Sequence, residues 1–270
     1  MSNESALSMR EIDGIPLLIA EELLDEGIVV AFTTRVGGVS ASPYDSLNLA
    51  FHVGDCPECV IENRERVCRA LRLESNFLTC AEQVHGSDVV IVDELKRAGG
   101  ARSKASAIQG ADALITALPE TPLAIFTADC VPIALVDPRK RLIASVHAGW
   151  RGTIAKIAEV AVSMMNELGA NPGNILAFLG PAIGPCCYEV GNEIGRRFQK
   201  EFGPIATQVA GHIDLQAANR ALLQKAGLHK DKITETNRCT SSRNDLFFSY
   251  RADGKVTGRQ GVIVALQRRF

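Results

Sequence analysis

The residues able to carry chemistry gather in short polar segments between apolar runs: TTRVGGVS (33–40), LN (47–48), QVHG (83–86), TADC (127–130), HAGWRGT (147–153) and HIDLQAANR (212–220). Loops after strands are where α/β folds place their sites, so this distribution already points to an enzyme. His85, Cys130 and His147 each stand at the end of an apolar run, close to a glycine or an aspartate. Two imidazoles and one thiolate suit Zn²⁺, and three protein ligands leave a fourth position for water or substrate. Their long separations exclude a local zinc-finger spacing. On residue types alone they also read as a hydrogen-bonded histidine pair beside a buried structural thiol.

Positioning these groups falls to elements visible as apolar patterns. Runs at 28–32, 89–92, 123–126, 132–136, 142–146, 175–179 and 261–266 are short and largely continuous rather than alternating, as in strands buried on both faces. Helical spacing interleaves with them. The segment 153–168 sets Ile154, Ile157, Val160, Ala161, Met164, Met165 and Leu168 three and four apart, with Gly169 as a stop. A second helix, 215–226, opens after Asp214 as N-cap and closes before Gly227, and a third, 57–71, follows Asp55 or Cys56. Together they predict an α/β fold: a single layered domain over 1–270, with a mixed β-sheet covered by helices and a lead-in over 1–27. The mixed sheet follows from 123–146, where strands succeed one another without a helix and turns fit Asp129-Cys130 and Asp137-Pro138.

Composition narrows the partners. The chain has 270 residues, 46% hydrophobic and 22% charged, which is enough apolar material for a sizeable core. A formal net charge of −2 with no run of Lys or Arg argues against nucleic acid or an anionic membrane as the main partner. A small-molecule substrate fits better, bound by a monomer or homodimer. No stretch approaches the ~18 apolar residues of a membrane span. The opening MSNESALSMREIDG lacks an apolar signal core, so a cytoplasmic location is expected. In that setting the eight cysteines are expected as reduced thiols. Cys56 and Cys59 form a C-x-x-C at a helix start, a geometry of disulfide oxidoreductases and half of a zinc site. No second C-x-x-C follows, and the preceding segment is a loop, which argues against either role. Cys186-Cys187 is adjacent rather than spaced for chelation and reads as structural or site-lining.

TTRVGGVS, SLNL, HVGD, QVHG, ADALIT, FTADCVPI, VHAGWRGT, GPAIGPCCYEVG, HIDLQAANR and FFSYRADG followed by TGRQG run in one order from about Ile28 onward. In this order they resemble the laccase-domain family, the YfiH-type proteins once labelled polyphenol oxidases and now regarded as purine nucleoside phosphorylases. The resemblance implies that His85, Cys130 and His147 are zinc ligands. It also implies phosphorolysis of adenosine, inosine and methylthioadenosine, with hydrolytic deamination of adenosine. Purine nucleosides and phosphate are then the partners.

Set against that chemistry, Arg35 is expected to clamp phosphate and Gly37-Gly38 to let backbone approach it. Asn48 would hold a ribose hydroxyl or the phosphate. Arg151, before a helix opening at Thr153, would add a second anion site. Gln83 and Asp129 would orient the metal ligands, and His52, in HVGD, lies near Asn48. Cys56 and Cys59 depart from the family pattern. Two alternatives stay open. A His₂Cys set can take copper, but five histidines in total are too few for a multicopper oxidase, and Met1, Met9, Met164 and Met165 are poorly placed as axial ligands. A Cys–His hydrolase with Cys130 as nucleophile and His147 as base would suit the editing of peptidoglycan precursors ascribed to some relatives.

Overall fold

A computed structural model of the chain describes residues 7–268; the opening residues 1–6 lie outside it. Numbered along the chain, the described strands form two six-stranded sheets. The first runs in the order β1 (Ser8–Ile12), β2 (Ile15–Ile19), β3 (Ile28–Thr33), β12 (Gln260–Leu266), β7 (Leu123–Thr127) and β4 (Thr79–Cys80). In the second the order is β11 (Ile233–Glu235), β10 (Leu176–Leu179), β8 (Val131–Asp137), β9 (Leu142–Ala148), β6 (Ala113–Thr116) and β5 (Val89–Ile91). Both are mixed: β4 pairs parallel to β7, and β5 parallel to β6, within otherwise largely antiparallel ladders. The expected α/β fold with mixed pairing is present, divided between two sheets. Residues 8–19, read as part of a lead-in, form the β1–β2 hairpin at the edge of the first sheet.

The sheets pack face to face. Ile28, Val30 and Phe32 of β3, with Val262 and Val264 of β12, meet Leu114, Ala134, Val136, Ile143 and Phe178 of the second sheet in one buried cluster. The alternate residues Val29, Ala31, Ile263 and Ala265 pack instead with Val67, Cys68 and Ala70 of α1 (Pro57–Ala70). On the far side, Ile133, Leu135, Ala144 and Val146 pack with Ile157, Ala161 and Met165 of α3 (Ile157–Glu167) and with Ala218 and Leu222 of α5 (Leu215–Lys225). Each central strand is therefore covered by helix on one face and by the other sheet on the opposite one. A continuous apolar run is the same in either case, so the pattern alone could not divide the strands between two sheets.

Two local expectations change. The helix expected at 153–168 is split into α2 (Trp150–Ile154) and α3, because Lys156 between them takes φ +63. A further helix, α4 (Asn192–Phe202), contributes Phe198 to the cluster shared by α3 and α5. The Asp137 turn closes the β8–β9 hairpin as expected, its Oδ1 accepting from the N–H groups of Arg139 and Lys140. The Asp129-Cys130 segment closes no hairpin. It carries the chain from β7 in the first sheet to β8 in the second, with Asp129 at φ +97. The Asp129 carboxylate holds that crossing by accepting from Thr240 Oγ1 (2.6 Å), Ser249 Oγ (2.7 Å) and the Arg251 N–H (2.7 Å).

Candidate metal centre and substrate cavity

The β8–β9 register pairs Val131 with Ala148 and Pro132 with His147, so Cys130 and Gly149 flank the open end of the hairpin. A Cβ on residue 149 would lie 2.9 Å from Cys130 Sγ and 3.4 Å from the His85 ring. Glycine is required there because the space belongs to the sulfur and the imidazole. His85 arrives on the irregular 83–86 segment with φ +62, a conformation rare for a side-chain-bearing residue. The Asp112 carboxylate stabilises it by accepting the N–H groups of Val84 (3.2 Å), His85 (2.9 Å) and Gly86 (2.6 Å). The same carboxylate meets His147 Nδ1 at 2.7 Å. One buried acid thus sets both histidines.

The donor atoms of His85, Cys130 and His147 all lie within 4.8 Å of one another, and the two imidazoles meet edge to face at 4.8 Å. With Nδ1 engaged by Asp112, His147 keeps Nε2 for Cys130 and for a metal ion, the carboxylate–histidine arrangement common behind bound metals. Burial pushes the Cys130 thiol up, but His147 and His85 more than reverse this and bring it down to about 6. Burial likewise lowers His147, but Cys130 and Asp112 outweigh it and raise the imidazole to about 9. A ready thiolate, an oriented imidazole and a small-residue cradle fit a metal ion. A soft, borderline cation matches the mixed nitrogen and sulfur donors best.

These groups open into a cavity of about 830 Å³, within the range of small-molecule sites. Its walls carry Arg64, Lys104, Arg151, Arg251, Lys255 and Arg259 against the acids Glu82 and Asp129, together with the aromatic Phe126, Trp150, Tyr188 and Tyr250. This is a cationic pocket in a chain of net charge −2. Its field is legible on His52, also in the wall: burial first, then Arg259, Lys104 and Arg64, hold that imidazole down to about 4, so it is neutral at physiological pH. Arg64 is sunk between Phe51 and Phe126 at 4.3 and 4.8 Å, its Nε donating to the carbonyl of Leu49 and its Nη1 to those of Gly100 and Ala101.

Several expected site residues lie elsewhere. Arg35 is outside the cavity lining: its Nε and Nη1 donate to the carbonyls of Asp45 and Asn244 at 2.9 and 2.8 Å, and its guanidinium stacks on Phe248. Gly37-Gly38 make room for the chain itself, since a Cβ on residue 38 would collide with the Ser46 carbonyl. Asn48 is fully buried and also off the lining. Its Oδ1 accepts from the N–H groups of Ala50 (3.1 Å) and Arg259 (2.9 Å), and its Nδ2 donates to Asp55 (2.8 Å). It therefore positions Arg259, which the sequence reading passed over. Arg151 lines the cavity on α2, stacked on Trp150, but no helix opens at Thr153, whose N–H is bonded to the Gly149 carbonyl. Gln83 lines the cavity, and its amide clamps the Phe126 backbone rather than a metal ligand. The acid behind the candidate ligands is Asp112, not Asp129. Its signal was present in ADALIT, where one carboxylate opens an otherwise apolar strand. Cys59 at the helix start is pushed up by the hydrogen bond its S–H donates to Cys56, the opposite of an activated thiol. Met9, Met164 and Met165 are absent from the lining, and Met1 lies outside the described residues.

A sheet-on-sheet core with a His₂Cys cluster where one sheet hands the chain to the other defines a class of protein. The chain belongs to the family described as multi-copper polyphenol oxidoreductase laccase, whose model matches residues 29–267. Among its relatives, a purine nucleoside phosphorylase of Deinococcus radiodurans is 40% identical over 259 residues, 95% of each chain. A protein named adenosine deaminase RL5, from an unknown prokaryotic organism, is 36% identical over 241 residues, covering 87% of this chain and 92% of that one. The crystal structure of YlmD from Geobacillus stearothermophilus superposes with a TM-score of 0.90 at 36% identity, covering 97% of this chain and 99% of that one.

Proposed function

We propose that the chain is a cytoplasmic, zinc-dependent purine nucleoside phosphorylase acting on adenosine, inosine and methylthioadenosine, and that the same site deaminates adenosine. The observation that carries this reading is the pairing, in one cavity, of a His₂Cys donor set with a cationic and aromatic wall. Phosphorolysis breaks the glycosidic C–N bond, places a phosphate oxygen on the sugar carbon, and releases the base with a proton. It therefore needs an anion site beside a surface for a flat heterocycle. Arg259, Lys104 and Arg251 supply the positive charge, and Tyr188, Tyr250, Trp150 and Phe126 supply aromatic faces. His85, Cys130 and His147 would hold the zinc, which when bound supplies Lewis-acid polarisation and more acidic water for deamination. The names of relatives support both activities.

The second reading is the Cys–His hydrolase. It is favoured by the Cys130 thiol at about 6 beside His147, which Asp112 holds at 2.7 Å. The copper oxidase reading has only five histidines to draw on, of which His85, His147 and His52 reach the cavity. The test is metal analysis, then incubation with adenosine with and without phosphate, with adenine, inosine and hypoxanthine read as products. Adenosine unchanged in both mixtures would refute the proposal. Amide hydrolysis indifferent to chelators, with Cys130 trapped by an electrophile, would install the second reading.

A further inference from the structure

A second sulfur cluster stands apart from the candidate metal centre. Cys186 and Cys187 lie on the turn after Gly184, and Cys239 reaches them from another part of the chain. Their sulfurs all fall within 4.8 Å of one another, with 3.6 Å between Cys186 Sγ and Cys187 Sγ. The adjacency of Cys186 and Cys187 argued against chelation in the sequence. The fold supplies the third ligand that the sequence does not show.

We propose that Cys186, Cys187 and Cys239 form a second metal site, binding one thiophilic d¹⁰ cation, zinc(II) or copper(I), through three thiolates. Around a tetrahedral zinc with Zn–S of about 2.3 Å, sulfurs stand roughly 3.8 Å apart, close to the 3.6 Å between Cys186 Sγ and Cys187 Sγ. An all-sulfur donor set selects this class of ion over harder cations. The backbone is arranged for it. The Gly184 carbonyl accepts the N–H groups of Cys187 and Tyr188 at 3.0 Å each, closing a turn that carries both thiols. The Gly184 N–H donates to Cys239 Sγ at 3.2 Å, a bond that favours the thiolate. A Cβ on residue 184 would lie within 3.6 Å of both the Cys186 and Cys239 sulfurs, so glycine keeps the space between them clear. Cys239 is fixed beside the turn by the Ala182–Cys239 bridge and the Thr240 N–H to the Ala182 carbonyl (3.0 Å). All three cysteines are free; Cys186 is exposed and the other two partly so, which gives a cation access.

The site would staple the cavity wall. Tyr188, next to Cys187, lines the cavity, and Thr240, next to Cys239, holds the Asp129 carboxylate beside Cys130. The ion would join those two segments without touching substrate.

The test uses the full chain, reduced and stripped of metal, titrated with cadmium(II) while the sulfur-to-cadmium charge-transfer absorption is followed. Cys130→Ser removes the only sulfur of the first centre. It is expected to keep one equivalent of cadmium with strong sulfur absorption, and adding Cys239→Ser or Cys186→Ser is expected to abolish both. The single variant Cys239→Ser is expected to retain the equivalent at the first centre, which also shows that it folds. Should it fail to fold, the exposed Cys186→Ser serves instead. Elemental analysis of the Cys130→Ser protein as isolated distinguishes zinc from copper. A Cys130→Ser protein that binds no cadmium through sulfur, or whose absorption survives loss of Cys239 and Cys186, would overturn the proposal. So would sulfurs that oxidise with peroxide to a disulfide yet take up no cation when reduced.

Discussion

Replacing Asp112 by asparagine keeps the shape of the side chain and removes its charge, and the consequences can be worked out bond by bond. Oδ1 receives the His85 N–H and faces His147 Nδ1, while Oδ2 receives the N–H groups of Val84 and Gly86. Whichever way the amide turns, its NH₂ group faces at least one backbone donor, and the remaining bonds lose their charge assistance. At about 1.5–3 kcal/mol for each charge-assisted bond, losing one or two gives a cost of roughly 1.5–6 kcal/mol. For a chain of this size that lowers the Tm of the metal-free protein by roughly 10 °C. Freed from its orienting acid, His147 is a poorer ligand, and metal affinity is expected to fall about 10–100-fold, or roughly 1.4–2.7 kcal/mol. The assays are thermal unfolding of the stripped protein and competition for zinc against a chromophoric chelator.

Acidification adds a signed check on the same substitution. Burial raises the Asp112 carboxyl, but the His147 hydrogen bond and charge bring it below the ordinary range. A depressed carboxylate stabilises the fold above its unfolded pKa and ceases to do so as pH falls through its folded one. The gap between wild type and Asp112→Asn should therefore be full between pH ~4 and ~6.5 and shrink below that window; above it the His147 charge contribution fades as pH rises through about 9. Zinc affinity within about twofold of wild type together with an unchanged Tm would refute the role assigned to this carboxylate.

Other expectations follow from the same geometry. Gly149→Ala puts a methyl group 2.9 Å from Cys130 Sγ, so metal affinity should drop at least about 10-fold while the secondary structure, read by circular dichroism, is kept. In metal-free protein, alkylation of Cys130 by iodoacetamide should rise through pH about 6 and level off near neutrality, since the thiolate dominates above that value. His147→Ala should move the midpoint upward. Arg35→Ala should cost about 2–3 kcal/mol of stability through its lost carbonyl bonds and leave the KM for phosphate near wild type. Arg259→Ala should raise that KM and also lower Tm, since Arg259 Nη1 donates to the carbonyls of Thr257 and Gly258. Asn48→Ala should reproduce part of the Arg259→Ala effect, because the Asn48 Oδ1 fixes the Arg259 backbone.

The strands and the three ligand candidates were legible in the sequence because burial on both faces leaves continuous apolar runs, and because His85, Cys130 and His147 interrupt polar-to-apolar boundaries. The partition into two sheets was not, since Val30 facing a sheet and Val29 facing a helix are chemically alike. The cavity wall was the least legible part. An arginine in a glycine-containing loop looks the same whether its guanidinium is stacked on Phe248, as Arg35 is, or set in a cavity wall, as Arg259 is. Asp112 was hidden by its setting: a buried acid inside ADALIT shows its purpose only when its four donors, none adjacent to it in sequence, are brought to it.

The position of β12 bears on how the protein can be made. It is the last described strand along the chain, yet it sits between β3 and β7 in the middle of the first sheet, and Arg259 immediately precedes it. During synthesis β3 and β7 must therefore wait as unpaired edges, while the β8–β9 hairpin carrying Cys130 and His147 closes early through contacts between neighbours in sequence. The ribosome thus delivers all three candidate metal donors well before Arg251, Lys255 and Arg259 of the cavity wall, and a chain cut short before 260 would keep those donors but expose two apolar edges to aggregation. Arrival of β12 seals the sheet and seats Arg259 at the cavity in one event.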